Sequence, residues 1–282
     1  MKYPNLKEEK KLWTPTRPPP SRLPAGKRAP KGFKRVVGLD EAGRGPIAGP
    51  VTAAAVMVRP AKLKIKNSEL KILLRQVKDS KKLTPKKREE LFKILIKNPA
   101  IEWGMGKVSE KIIDKINIKN AAELAMERAV KKLRYQPDFL IIDGKYLKNH
   151  KLKSMKYKLI VKADEKVFSC AAASIIAKVT RDKIMEKYAK KYPKYSFDRH
   201  KGYPTKLHLR MLKKYGPCKI HRMSFRPVKI NSKSQIIKGA QPKAGGVAGG
   251  WSPTKYHFKM LKKFGPCKIH RKSFKPVAQI LK

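Results

Sequence analysis

Five short apolar runs, RVVGLD, GPVTAAAVMV, EWGMGKVS, DFLIIDG and YKLIVKAD, succeed one another from Arg35 to Asp164 and constrain the fold more than any other feature of the chain. Each has the length of a strand and is bounded by glycine, lysine or a turn-forming residue, which predicts buried strands. The stretches around Pro85 to Ile96, Ala121 to Leu133 and Ser169 to Tyr192 instead space their apolar residues at helical intervals. Strands that alternate with helices predict an α/β domain.

Three of the runs end in an acid, in a chain that has few. RVVGLDE reaches Asp40 and Glu41, DFLIIDG reaches Asp143 and YKLIVKAD reaches Asp164, although Asp and Glu total only 20 against 71 Lys and Arg. Strands ending at one sheet edge can bring such side chains together, and α/β folds favour ligand sites at strand ends. Carboxylates side by side repel and raise one another's pKa unless cations intervene. Hard divalent ions such as Mg²⁺ or Mn²⁺ suit an all-oxygen ligand set of this kind. Any one of these acids taken singly could cap a following helix or turn. Three strand-end acids, one of them doubled, point to a metal site. Two ions roughly 3.5–4 Å apart in such a site activate a water and stabilise the leaving oxygen of a phosphodiester. The residues by themselves carry the reading as far as metal-dependent phosphoryl transfer on nucleic acid.

The net charge of +51 exceeds what solubility requires and suggests a polyanionic partner, nucleic acid foremost. Lysines spread over every solvated face would give the same total, so charge selects a partner class and not an activity. Cys170, Cys218 and Cys267 are far apart, which predicts no disulfide framework and fits a reducing compartment. The opening MKYPNLKEEKKLW lacks the apolar segment of a secretory signal, and no run reaches the roughly 18 apolar residues of a membrane span. A soluble, cytoplasmic protein with no membrane association is expected.

Composition divides the chain further. Residues 1–32, rich in Lys, Arg and Pro, are expected to be a flexible basic tail, and 33–228 the catalytic domain. NSKSQIIKGAQPKAGGVAGG marks a flexible linker over residues 229–250. Beyond it, 251–282 is a duplicated C-terminal element, since PTKLHLRMLKKYGPCKIHRMSFRPV recurs as PTKYHFKMLKKFGPCKIHRKSFKPV. Two copies do not make a solenoid. The second copy has Ser252 in place of Tyr203 and carries no acidic cluster, and its lysines suggest a basic, weakly nucleic-acid-binding appendage. Cys218 with His221, and Cys267 with His270, have the ligand types of a zinc site at an unusual spacing.

The segment GLDEAGRGPIAGPVTAAAV resembles the signature of ribonuclease HII, and DSKKLTPKKREEL, IIDGK, VKADEKVFSCAAASIIAKVTRD, HKGYPTKLH and YGPCKIHRMSF follow in the same order. The resemblance spans about Lys34 to Val228. It implies an RNase H-like fold, a mixed central sheet flanked by helices with a helical C-terminal portion. It also implies an endonuclease that cuts the RNA strand of RNA–DNA hybrids 5′ to a ribonucleotide, including single ribonucleotides in duplex DNA. By motif, Asp40, Glu41, Asp143 and Asp164 take the catalytic, metal-ligand roles for two Mn²⁺ or Mg²⁺ ions. Gly43, Arg44 and Gly45 would sense the ribose 2′-hydroxyl through backbone groups, and Tyr203 would pack on the following sugar. Lys81, Ser174, Lys178 and Thr180 are candidate phosphate contacts.

Two positions depart from the pattern: Glu165 stands where serine is expected, adding an acid beside the site, and Cys218 where threonine is expected. His200 and His221 fall in family-like blocks and suit a structural role at least as well as proton transfer. The competing reading is a noncatalytic, basic nucleic-acid-binding protein on an inactive form of the same fold.

Overall fold

The five apolar runs assemble into one mixed sheet of order β3-β2-β1-β4-β5, where β1 is Val36–Ala42, β2 Val51–Val58, β3 Ile101–Val108, β4 Phe139–Asp143 and β5 Tyr157–Ile160. β1, β2 and β3 pair antiparallel, while β4 and β5 add in parallel on the other side of β1. The computed structural model describes residues 4–13, 32–59, 73, 76–77 and 83–230, all within one unit of residues 1–235. Residues 231–282, with the glycine-rich linker and the repeat, lie outside the described residues.

Helices cover both faces, which is why β2 is buried throughout and apolar but for Thr52. Ala53, Ala55 and Met57 pack with Val37 and Leu39 on one face, and Ala54, Val56 and Val58 on the other. Each fully buried Leu or Ile of these layers, such as Leu39, Leu91 or Ile175, stabilises the fold by about 1.5–3 kcal/mol. In chain order the helices are α1 Lys7–Trp13, α2 Pro85–Lys97, α3 Glu110–Val130, α4 His150–Lys153, α5 Ala163–Lys166, α6 Phe168–Lys191, α7 Phe197–His200 and α8 Lys206–Tyr215. Thr84 starts α2 by accepting from Lys87 N, with Pro85 in the first turn. α3 breaks at Asn117 (φ 64°), whose side chain accepts from Lys119 N and Asn120 N and so restarts the helix. The helix expected from Ala121 is this second segment.

α6 carries most of the wall beneath the site. Its first half, Phe168 to Ala177, is buried, and it crosses β1 where Gly38 leaves room. A Cβ at Gly38 would lie 2.5 Å from Ser169 and Cys170 backbone atoms.

Two expectations are corrected. YKLIVKAD is not a buried strand ending in Asp164. β5 is an edge strand with Tyr157 and Lys158 exposed, and it stops at Ile160. Lys162 takes a left-handed conformation (φ 56°) that turns the chain into α5, so Asp164 sits on a helical turn. Nor are residues 4–13 a free tail: α1 folds onto the domain with Glu9 and Leu6 buried. Its charge pattern concealed this, because KEEKKLW has little apolar surface to signal packing.

Candidate active site

Asp40 lies within β1, Asp143 ends β4 and Asp164 occupies the α5 turn, and one carboxylate oxygen from each lies within 4.8 Å of the others. β1 and β4 are parallel neighbours, which puts the ends of both strands on one side of the sheet. Three anchors aim these groups. Glu41 N donates to Asp40 Oδ1 at 2.7 Å, and Ala163 N donates to Asp143 Oδ1 at 3.0 Å, tying the Asp164 turn to β4. Ser174 of α6 also hydrogen-bonds the Asp40 carboxylate. Burial pushes the Asp40 carboxyl well above the usual range, and the charges of Glu41, Asp143 and Asp164 push it further. Crowded, desolvated carboxylates with only oxygen donors are the ligand set a hard divalent cation requires. Glu41 stands outside the cluster, its Oε1 paired with Arg44 at 3.1 Å.

The turn after β1 is held by two buried arginines. Arg222 donates to five carbonyls: Gly43 at 2.6 Å, Arg44 at 3.1 Å, Pro46 at 2.7 Å, Gly49 at 2.9 Å and Pro50 at 3.2 Å. Arg181 donates to Pro50, Ala48 and Lys201 carbonyls at 3.0, 3.1 and 2.9 Å. Both guanidinium groups are fully buried, and burial lowers their pKa values to about 10 for Arg181 and about 9 for Arg222. Gly43 is required here twice over. Its φ of +99° suits glycine, and a Cβ would fall 2.2 Å from Arg181 Nε.

Tyr203 lies against this turn, its ring Cε1 3.5 Å from where a Gly45 Cβ would stand, with Lys178 Nζ 5.7 Å from the ring centroid. Three imidazoles support it from below. His221 Nδ1 accepts from Cys218 N at 2.9 Å, which assigns its proton to Nε2, 3.1 Å from His208 Nε2. His208 then carries its proton on Nδ1 and donates to the Tyr203 carbonyl at 2.8 Å. His200 stacks on His208 with centroids 4.2 Å apart. Burial holds His208 and His221 neutral, with pKa values near 3 and 4.

A family model of ribonuclease HII matches residues 37–228. The chain belongs to the ribonuclease HII family. The ribonuclease HII of Caldicellulosiruptor bescii is 47% identical over 195 residues, 69% of this chain and 88% of that protein. Among solved structures, ribonuclease H2 from Pyrococcus horikoshii OT3 superposes with a TM-score of 0.57 at 30% identity, covering 71% of this chain and 98% of that one. Bst-RNase HIII in complex with Mn²⁺ shares the fold at 17% identity and a TM-score of 0.52, covering 72% and 70%. The expected RNase H-like fold is thereby met, and the protein is an endoribonuclease acting on RNA–DNA hybrids.

Relative to other positions expected for a ribonuclease HII, the structure sorts the residues unevenly. Asp40, Asp143 and Asp164 come together, as do Gly43, Gly45 and Tyr203. Ser174 is buried on the α6 face that packs under β1, where it hydrogen-bonds Asp40. Lys178 pairs with Asp182 at 2.8 Å, Thr180 is partly buried on the same helix, and Lys81 lies outside the described residues. Glu165 faces Lys162 at 3.7 Å, outside the acidic cluster. His221 engages both ring nitrogens within the fold, which opposes a zinc role for Cys218 and His221; Cys267 and His270 lie outside the described residues. Arg181 and Arg222 went unnoticed in the sequence. The signal was there for Arg181, one helical turn from Ala177 and Met185 on a buried stripe. Among the described residues, no helix is long and apolar enough to cross a membrane.

Proposed function

We propose that this ribonuclease HII hydrolyses the RNA strand 5′ to a ribonucleotide, including a single ribonucleotide embedded in duplex DNA, with two divalent ions held by Asp40, Glu41, Asp143 and Asp164. The observation that carries the reading is the convergence of Asp40, Asp143 and Asp164 on three separate elements, beside a glycine turn buttressed by Tyr203. Mn²⁺ or Mg²⁺ bound there would supply an activated water and charge stabilisation for the leaving oxygen. Glu41 is assigned to the same centre because its charge acts on Asp40 and its own neighbour is Arg44 of the glycine turn.

The protein's own groups supply positioning. Ser174 and Glu41 N–H orient Asp40, and Ala163 N–H orients Asp143. Gly43, Arg44 and Gly45 form a rigid edge along which a sugar can approach the backbone closely, because glycine presents no Cβ there. The 2′-hydroxyl is the group that separates RNA from DNA at such an edge. Tyr203, 40% exposed, offers its ring to the adjoining sugar. Lys178, Thr180 and Lys81 are assigned to phosphate, where cationic or hydroxyl donors set register without reading sequence.

The test is incubation with Mn²⁺ or Mg²⁺ and duplex DNA containing one ribonucleotide, beside an all-DNA duplex and an Asp40→Asn variant. One cut 5′ to the ribonucleotide, absent from both controls, is expected. Cutting of the all-DNA duplex, or cutting that survives in the variant, would remove the proposal.

A further inference from the structure

Residues 4–13 precede the 37–228 family match, yet they bond directly to the turn that bears Asp164. Asn5 N donates to Lys166 O at 3.2 Å, and Phe168 N donates to Asn5 O at 3.1 Å, so Asn5 pairs like a strand residue with the junction of α5 and α6. One turn later Glu9, fully buried, accepts from Ser169 N at 3.0 Å and Ser169 Oγ at 2.7 Å through the same Oε1. Leu12 and Trp13 pack on a cluster that includes Ala163, Val167 and Cys170.

α6 makes no side-chain cap bond of its own, since Val167 occupies the cap position. The first two amides of this 24-residue helix are instead held from another segment, Phe168 N by the Asn5 carbonyl and Ser169 N by the Glu9 carboxylate, at the end where a negative group is favoured. Glu9 Oε2 has no hydrogen-bond partner among the described residues, so this carboxylate is buried at some expense in desolvation. Such a group persists where its contacts fix something else. What they fix is the junction from Lys166 to Ser169 that follows the Asp164 turn: Ala163 N bonds Asp143 at the start of α5, Lys166 O and Phe168 N bond Asn5 at its end, and Ser169 bonds Glu9 at the start of α6.

We propose that residues 4–13 are an intramolecular strap that sets the position of the Asp164 turn, with Glu9 as a positioning residue for the metal centre. The proposal rests on the metal reading of Asp40, Asp143 and Asp164 and adds to it a part of the chain outside the family domain.

The test uses the full chain with Glu9→Ala, Glu9→Gln and Ser169→Ala, and reads Mn²⁺ affinity by calorimetry together with hydrogen exchange of amides 163–171. Loss of the cap in Glu9→Ala should weaken Mn²⁺ binding by about five-fold or more and speed exchange at those amides, while β2 and β3 stay protected. Glu9→Gln keeps an acceptor oxygen and should return affinity to within about two-fold of the parent. A folded Glu9→Ala protein that binds Mn²⁺ as tightly as the parent overturns the strap. Should Glu9→Ala fail to fold, Ser169→Ala removes the 2.7 Å hydroxyl bond to Glu9 while keeping the amide bond, and should weaken Mn²⁺ binding and speed exchange by a smaller factor than loss of the carboxylate; unchanged affinity and exchange there overturn the strap. Metal titration does not require cleavage, so a parent chain that binds Mn²⁺ but cuts no ribonucleotide-containing duplex counts against the cleavage reading alone.

Discussion

Arg222 Nη2 donates a 2.6 Å hydrogen bond to the carbonyl oxygen of Gly43, joining two residues 179 apart in the chain. Through it, the block following α8 holds the glycine turn after β1. A lysine cannot reproduce a planar fork that meets five carbonyls. Arg222→Lys should lose about 3–5 kcal/mol of stability, because several buried carbonyls are left without donors. Cleavage of an RNA–DNA hybrid should fall at least about ten-fold at a temperature where the variant remains folded. Denaturant unfolding and kcat/KM measure both, and a variant that cuts at the parent rate would show that the turn holds itself.

Gly43 and Gly45 should separate in their effects. Alanine at Gly43 meets Arg181 Nε at 2.2 Å and must adopt φ near +99°, which should cost about 2 kcal/mol or more in stability. Alanine at Gly45 meets Tyr203 Cε1 at an ordinary 3.5 Å, so its stability should change by less than about 1 kcal/mol while hybrid cleavage drops. Unfolding midpoints and cleavage rates of the two variants check this. A Gly45→Ala protein of full activity would place ribose recognition elsewhere.

Asp40→Asn should stabilise the metal-free protein even as it destroys activity. A carboxyl whose folded pKa is raised above its unfolded value lowers stability as pH climbs past the unfolded value toward the folded one. At neutral pH an asparagine removes that penalty, and a rise in Tm is expected in chelator. Added Mn²⁺ should raise the Tm of the parent and leave the variant nearly unmoved. A metal-free variant less stable than the parent would contradict the crowding of these carboxylates.

Acid should weaken the fold through its buried imidazoles before the lowered carboxylates titrate. His208 and His221 have folded pKa values of about 3 and 4, below the unfolded value of 6.5. Their contribution is complete above pH 6.5 and is lost as pH falls, because the unfolded chain then binds protons that the fold excludes. Each histidine can remove up to about 1.4 kcal/mol per pH unit across that window. Glu127, with its pKa lowered to about 2 despite partial burial by bonds to Asn149, Lys131 and Lys151, acts only below its ordinary 4.5. Urea unfolding of the Asp40→Asn variant at pH 7, 6 and 5 follows the histidines without the opposing titration of that carboxyl. A midpoint that does not move between pH 7 and 5 would mean that the imidazoles are solvated.

Much of the site was legible because its chemistry is local in sequence. Asp40, Glu41 and Asp143 close apolar runs, and the glycines of the turn and Tyr203 sit in distinctive blocks. Asp164 was found for a partly wrong reason, since its run leaves the sheet at Ile160 and the acid arrives on a turn created by Lys162. That Ser174 bonds Asp40 was not legible, because helical spacing does not reveal which face of α6 meets β1. Glu9 was hidden by its charged neighbours: a buried acid in KEEKKLW is intelligible only when Ser169, 160 residues away, is placed beside it.

By itself the sequence determined the alternation of strands and helices, the identity of the acids and the flexible-backbone turn, because propensity, side-chain period and ligand chemistry act within a few residues. Only the tertiary structure decided which of those acids share an edge, that Glu41 faces Arg44, that buried Arg181 and Arg222 hold the turn through its carbonyls, and that the N-terminal helix caps α6. Hydrogen bonds and charges act over a few ångströms, and for those groups the distance along the chain carries no record of the distance in space.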